Sequence, residues 1–549
     1  MSALDYQIMW SRLIAVVEEQ ATTLIRTAFS TSVREAGDLS AGLFDRQGRM
    51  MAQAVTGTPG HVNAMAESVG HFIDRIGAQT FRPGDVYLTN DPWMGTGHLH
   101  DFTVTTPVFR AGVHIGFFAC TAHVVDIGGR GFGPDANEVY EEGLLVPIMR
   151  FADGGEVSPI LLDLLRWNTR QPDQVIGDLY SLAACNEAGE KRLQAMLDEF
   201  ALDDLDGLST FILERSRAAT LAAIAALPDG RHENRMRVDG YDEAVDLVVT
   251  LDIAGERLSA DFTGTGPMSR FGVNVPEVYT RAYACYALKC AIAPEVPNNT
   301  GSLEPFAISA PEGCILAARR PAPVSVRHVI GHLVPDVVLG ALHKALPGTV
   351  PAEGASALWN IQISARATDP ESALPPAEVL MFNSGGTGAR PRLDGLSATA
   401  FPSGVKTMSV EVTEQVGPII MWRKDLRPGS GGAGQFRGGL GQVIEIEARD
   451  GYNFWFNAMF DRVDHPARGR DGGLPGAPGR VELTDGTKLR AKGRQHVPAG
   501  ARLRLSLPGG GGYGAPSDRD KAAIRADLAA GYITPDQARE CYGLAEDGD

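Results

Sequence analysis

Apolar positions recur along this chain with two different periods, and the change of period marks out its elements. Between residues 5 and 29, Trp10, Leu13, Ile14, Val17, Ala21, Leu24 and Ala28 repeat at helical spacing and predict one long amphipathic helix. Asp38-Leu39-Ser40-Ala41-Gly42-Leu43-Phe44-Asp45 reads as a short strand ending in a turn at Gln47-Gly48. A second helix fits residues 62–76, with Val62, Ala66, Val69, Phe72, Ile73 and Ile76 on one face and Gly77 beyond it. The pattern then becomes β. Val86-Tyr87-Leu88 is a short strand, and residues 102–109 and 113–124 form a hairpin around Ala111-Gly112. Strict alternation puts Val113, Ile115, Phe117 and Ala119 on one face of its second strand.

Long helical patterns fill residues 160–226 and stop at Leu227-Pro228-Asp229-Gly230, a first domain boundary. Strands follow over 235–264, then helices over 275–292 and 328–346 before Pro347-Gly348. From about residue 375 the chain turns rich in Gly and Pro and reads as β, including Val443–Glu447 and Ala501–Leu507. The tail is helical again: Ser517 is placed to cap residues 518–530, Gly531 ends them, and Thr534-Pro535 opens a last short helix. The expected class is α+β (mixed α/β) and multidomain. The expected domains are 1–230 with helices and hairpin, 231–350 mixed, 351–515 Gly-rich β, and a 516–549 helical tail.

Composition narrows the function. With 549 residues, 44% apolar and 21% charged, the chain is ordinary for a globular protein. Its formal charge of −17 repels phosphate backbones and anionic bilayers, so neither nucleic acid nor membrane is an expected partner. No apolar run reaches the roughly 18–20 residues that span a bilayer. The start, Met1-Ser2-Ala3-Leu4-Asp5, carries no basic segment or cleavage signal, and a cytoplasmic location is expected. The six cysteines form no C-x-x-C pair and read as scattered apolar residues.

The densest chemistry lies at Asn90-Asp91-Pro92-Trp93-Met94-Gly95-Thr96-Gly97-His98-Leu99-His100-Asp101 and Thr121-Ala122-His123-Val124-Val125-Asp126-Ile127-Gly128-Gly129. A hairpin turn centred near residue 111 sets Asp101 opposite residue 121, within two positions of His123, and His98 one turn before the strand. Such neighbours stand roughly 5–8 Å apart at Cβ, a span that a metal bridges. Two His and one carboxylate suit Zn, Mn or Fe and leave positions open. The alternative is a set of satisfied polar residues at a strand end. His100 competes with His98 as first ligand, and Asp126 could orient His123 or be a plain turn residue. Glu35 and Asp38 could pair in a site but fit a surface strand end better. His61 heads a helix, facing a ligand or capping. Arg327, His328 and His332 fit a solvated or interdomain helix face.

Several classes are excluded. Ser430–Gly439 lacks the Lys-Ser/Thr ending of a P-loop, and the chain has no Gly-Lys dipeptide. Pro508-Gly509-Gly510-Gly511-Gly512-Tyr513-Gly514 formally matches G-x-G-x-x-G, yet about 35 residues follow it, too few for the second strand and ribose-binding acid of a dinucleotide fold. Both runs fit tight turns or close backbone contacts. No G-x-S-x-G elbow or H-E-x-x-H occurs.

Taken together, Asn90-Asp91-Pro92, Gly97–Asp101 and Ala122–Gly129 resemble the hydantoinase B/oxoprolinase family. So do Glu35–Ser40, Glu141–Pro147, Asp261–Thr265, Asn299–Ser302, Gly432–Gly439 and Pro508–Gly514, in order along nearly the whole chain. The resemblance implies a metal held by His98, Asp101 and His123. It also implies a partner, a hydantoinase A-type ATPase subunit that uses ATP to phosphorylate a small cyclic amide, within a hetero-oligomer. This chain would then hydrolyse the activated ring with a divalent metal, Zn or Mn before Fe. Two departures stand out: many relatives carry Pro at His100, and many carry a second His at Val124. Two alternatives remain, a subunit of an acetone carboxylase-type carboxylase, and a scaffold with a structural metal.

Overall fold

The computed structural model describes residues 2–544; Met1 and the last five residues of the expected 516–549 tail lie outside them. The first helix, Ala3–Thr27, is closed at its start by a reciprocal Ser2–Asp5 capping box, and its stripe from Met9 to Leu24 is buried. It packs along the helix Pro172–Glu199. Both lie on a seven-stranded antiparallel sheet made of β1 (Leu39–Asp45), β2 (Met50–Gln53), β3 (Val86–Thr89), β4 (Asp101–Arg110), β5 (Val113–His123), β6 (Met149–Asp153) and β7 (Glu156–Val157). Their order is β2-β1-β5-β4-β3-β6-β7. The helix Pro59–Ile76 covers the opposite face, over Phe44, Tyr87, Phe117 and Ala119. Covered on both faces, β1 is buried at every position and shows no apolar/polar alternation.

The β4–β5 hairpin departs from simple alternation at one place. Ala111 and Gly112 both take left-handed φ, 48° and 80°, as a two-residue turn twisted to match the strands requires. Arg110 then pairs with Val113, and a bulge between Val108 and Phe109 leaves Ile115 as the extra residue. The bulge turns Ile115 to the face opposite Phe117 and Ala119, which corrects the expected single face. It also advances the register, so Asp101 lies directly across from His123, not from residue 121.

A second sheet is ordered β11-β10-β9-β8, with β8 (Gly230–Val238), β9 (Val245–Ala254), β10 (Arg257–Asp261) and a parallel edge strand β11 (Phe306–Ser309). The helices Glu277–Ile292 and Val334–Ala345 pack with it. The single helix expected over 328–346 is broken into His328–Gly331 and Val334–Ala345. Pro335 lacks an amide hydrogen and so begins a helix more readily than it continues one.

Two four-stranded antiparallel sheets complete the fold. The first contains β12 (Ile361–Ala367), β13 (Ala377–Met381), β16 (Tyr452–Met459) and β18 (Lys492–Val497). The second contains β14 (Ile419–Leu426), β15 (Gln442–Ala448), β17 (Arg480–Leu483) and β19 (Arg502–Ser506). They share one core, in which Ile361, Phe454 and Phe456 meet Ile444, Leu503 and Leu505. The Gly-rich runs are backbone-to-backbone contacts. Gly510 donates to the Gly439 carbonyl at 3.0 Å and Gly439 to the Thr387 carbonyl at 2.8 Å, and a Cβ on Gly510 would meet the Thr387 oxygen at 1.9 Å. At the tail, Pro516–Asp518 is a single 3₁₀ turn, so Asp520 rather than Ser517 caps the helix, which runs Lys521–Ala529. Among the described residues no helix is long and apolar enough to cross a membrane. One core joins the three regions: Ala36 and Phe132 from the first, Val326 and Val329 from the second, Phe382 and Val405 from the third. The site lies beside this junction.

Candidate metal centre

Asp101 opens β4 and His123 closes β5, so their pairing sets both side chains at the same end of the hairpin. His98 comes from the preceding loop, which Asn90 fastens: its amide donates to the Leu99 and Leu144 carbonyls and its oxygen accepts the Val146 amide. His98, Asp101 and His123 offer ligand atoms that all lie within 4.8 Å of one another, and all three are buried. Among the described residues this is the one group of three or more His, Cys, Asp or Glu so placed.

The donor chemistry fits a cation. His98 Nδ1 donates to the Ser325 carbonyl at 2.7 Å, which leaves the lone pair on Nε2. Burial first, and then Arg327, holds the His98 imidazole down at about 3, so it is neutral. Its Nε2 nevertheless stands 2.7 Å from Asp101 Oδ1 with no hydrogen bond between them. Two acceptors facing each other repel unless a cation is near. Two ligands at about 2.0–2.2 Å from one metal stand roughly 3 Å apart. His123 adds Nδ1 at 3.1 Å from the same oxygen and an Nε2 that is buried without a partner.

The other oxygen of Asp101 faces away from that group. Oδ2 accepts from Thr96 Oγ1 at 2.6 Å and from Arg327 Nη2 at 2.6 Å, and lies 2.9 Å from His61 Nε2. Burial alone would raise the Asp101 carboxyl; the charges of His61 and Arg327 hold it well below the usual carboxylate range. Burial likewise opposes charging His61, but Asp101 and Asp38 outweigh it and raise its pKa. His61 Nδ1 is 3.5 Å from Asp38 Oδ1, and Thr58 donates to that same oxygen at 3.1 Å. The Arg327 guanidinium also lies 4.1 Å from the Tyr279 ring centroid, a cation–π contact.

These positions revise several readings from sequence. Asp38 is buried beside His61 and not at a surface strand end, while Glu35 pairs locally with Arg34. His61 faces Asp101 and does not serve as a cap, since Thr58 holds the N-cap position. Arg327, His328 and His332 are buried, not solvated. His328 stacks on Phe132 and His332 Nε2 lies 3.1 Å from the Tyr279 hydroxyl. Burial depresses both imidazoles well below the ordinary range. His100 lies outside the three-residue group; its ring is parallel to His123 at 5.4 Å and both its nitrogens are buried without partners. Asp126 does not reach His123. Its carboxylate accepts from the Arg170 guanidinium at 2.8 Å, from the Arg170 amide, and from the Gly128 amide at 3.1 Å. The remaining space, lined by Asp38, His61, His98, His123, Asn360 and Ser403 among others, is about 20 Å³. That is close to the volume one water needs.

A mixed α/β, multi-sheet protein with a buried His–Asp–His centre at the end of a hairpin is therefore the class that fold and site define. The chain belongs to the hydantoinase B/oxoprolinase family, whose model matches residues 2–516. It is 28% identical to one subunit of a putative D-/L-hydantoinase of Pseudomonas sp. (strain NS671), over 98% of this chain and 94% of that one. It is 29% identical to 5-oxoprolinase 1 of Arabidopsis thaliana over 92% of this chain, but spans only 41% of that longer protein. The ATP-dependent caprolactamase of Pseudomonas jessenii shares the fold, with a TM-score of 0.89 at 24% identity over 100% of this chain and 97% of that one. This chain's relatives named hydantoinase, 5-oxoprolinase and caprolactamase are all hydrolases of cyclic amides.

Proposed function

We propose that this chain is the ring-opening subunit of an ATP-dependent cyclic amidase, acting on a cyclic amide whose carbonyl oxygen a hydantoinase A-type partner has phosphorylated. The observation that carries the reading is the convergence of His98, Asp101 and His123 at one buried point. Family membership supports the reaction class. Two likenesses support the partner. The Pseudomonas hydantoinase relative is itself one subunit of its enzyme. This chain also spans only 41% of a 5-oxoprolinase, which leaves room in that protein for a second activity. Zn or Mn suits two imidazoles and one carboxylate, with Fe possible on the same donors. Such a cation, when bound, supplies Lewis acidity and lowers the pKa of water.

The chain's own residues do the rest. His98 is fixed in the tautomer that presents Nε2, because the Ser325 carbonyl takes the other proton. Asp101 stays anionic at every working pH, since its environment favours the charged form. Arg327 and Thr96 occupy Oδ2 and leave Oδ1 for the ligand side. Phe132 and Phe382 pack on His123 and keep bulk water from the centre. Within this scheme Asp126 supports the loop after His123 through Arg170. The test follows ADP and ring-opened product in parallel with the co-purified complex, before and after chelation. Chelation followed by return of Mg²⁺ alone is expected to abolish product while ADP formation continues. Undiminished product from the complex so treated would overturn the reading in favour of a scaffold with all chemistry in the partner.

A further inference from the structure

Glu142 is buried, lies in none of the strands or helices around the centre, and has its hydrogen bonds with backbone amides and not with the three candidate ligands. Its Oε1 accepts two backbone amides at once, Val324 at 2.6 Å and Ser325 at 2.7 Å. Those residues open a short segment whose next members reach the centre. The Ser325 carbonyl holds His98 Nδ1. Arg327 Nε donates to the Thr96 carbonyl at 2.7 Å and its Nη2 to Asp101. On its other side Glu142 belongs to the loop beyond β5. Leu144 donates to the Ile127 carbonyl at 2.9 Å, and Gly129 fits so tightly that a Cβ there would meet the Gly143 amide nitrogen at 2.5 Å.

We propose that Glu142 is a positioning residue for the centre: it pins the 324–327 segment to the loop that follows His123, and so fixes the tautomer and aim of His98 and the reach of Arg327. The argument is one of connection. His98 and Asp101 lie more than 220 residues before Ser325 and Arg327, and each depends on them for a hydrogen bond. Oε1 of Glu142 joins that segment to the first region by two amide hydrogen bonds, one of them from Ser325, whose carbonyl holds His98. Burial pushes its carboxyl well above the usual range, which the two amides only partly offset, and Oε2 has no partner. The group therefore acts through its shape and its acceptor, and a neutral amide of the same size can replace it.

The inference rests on the metal reading above, and the test separates the two. Wild type, Glu142→Gln, Glu142→Asp and Glu142→Ala are stripped of metal and titrated with Zn²⁺ and Mn²⁺, each variant's fold checked by circular dichroism. Glu142→Gln should bind like wild type. Glu142→Asp and Glu142→Ala should lose about 10- to 100-fold in affinity, the scale on which groups orienting a ligand act. Should the Ala variant fail to fold, the Asp variant carries the comparison. Wild-type affinity in the Asp and Ala variants, or equal loss in Gln and Ala, would overturn the inference. No metal binding by wild type would instead overturn the metal reading.

Discussion

Asp101 has two duties that one substitution separates. Asp101→Asn keeps the volume and removes the charge. The side chain is buried, as is Arg327, whose guanidinium lies 2.6 Å from Oδ2. An amide oxygen turned to the ligand side leaves the amide NH₂ facing that guanidinium, donor against donor. The reverse orientation offers NH₂ to His98 and His123. Neither satisfies both sides. Leaving one partner of a buried ion pair uncompensated costs about 3–5 kcal/mol, a large part of the roughly 5–15 kcal/mol that holds most proteins folded. In EDTA, Asp101→Asn should therefore unfold at clearly lower urea than wild type. The double variant Asp101→Asn/Arg327→Met, which also removes the stranded cation, should recover most of that loss. Metal affinity should stay low in both, by at least about 10- to 100-fold. Arg327→Met alone should be weakened without metal and largely restored at saturating Zn²⁺, because a ligand that binds only the folded state stabilises it. Unchanged urea midpoints for Asp101→Asn in EDTA would refute the charge argument. Recovery of metal affinity in the double variant would refute the assignment of Oδ1 to the ligand side.

Further outcomes follow from single positions. Gly510→Ala should abolish soluble folded protein, because its Cβ would meet the Thr387 carbonyl oxygen at 1.9 Å, whereas Gly70→Ala, in a helix with open space around it, should raise stability by about 0.5–1 kcal/mol; expression and thermal melts report both. Ala111→Gly relieves a left-handed φ of 48° and should raise the melting point by the equivalent of about 1 kcal/mol. Asp126→Asn should leave metal affinity unchanged in a titration, because its carboxylate serves Arg170 and the Gly128 amide.

What is legible in the sequence is local. The hairpin carrying Asp101 and His123 announces itself by alternation and a two-residue turn, and His98 is close enough along the chain to be placed with them. Its register is not legible, because the bulge leaves no clear mark in the alternation: Ile115 continues the alternate apolar positions Val113 and Phe117. The groups that hold Asp101 from behind are hidden for a different reason. Arg327 and His61 arrive from 226 and 40 residues away, and periodicity reports only which face of its own element a residue occupies. Arg and His on a helix read as solvent-facing until another region covers them. Pro335 is a local signal of a helix start that apolar periodicity running past it masks, and Asp520 is masked by Ser517, an equally good capping side chain three residues earlier.

The charges around the centre bear on which substrate form the proposed reaction uses. With neutral imidazoles, Arg327 contributes one positive charge and Asp38 and Asp101 two negative, a formal balance of one negative in a buried pocket. A divalent cation on Oδ1 of Asp101 reverses it to one positive, and protonated His61, which its two carboxylates favour, adds another. Excess positive charge out of water attracts an anion far more strongly than the same charge at a surface. A neutral cyclic amide gains little from such a centre, whereas a phosphorylated one brings negative charge on the oxygen that must leave. Arg327 does not defeat cation binding, because the two share one carboxylate through opposite oxygens. In the proposed reaction the charge of the loaded centre then favours the activated ring over its precursor, and prior use of ATP would be selected by electrostatics.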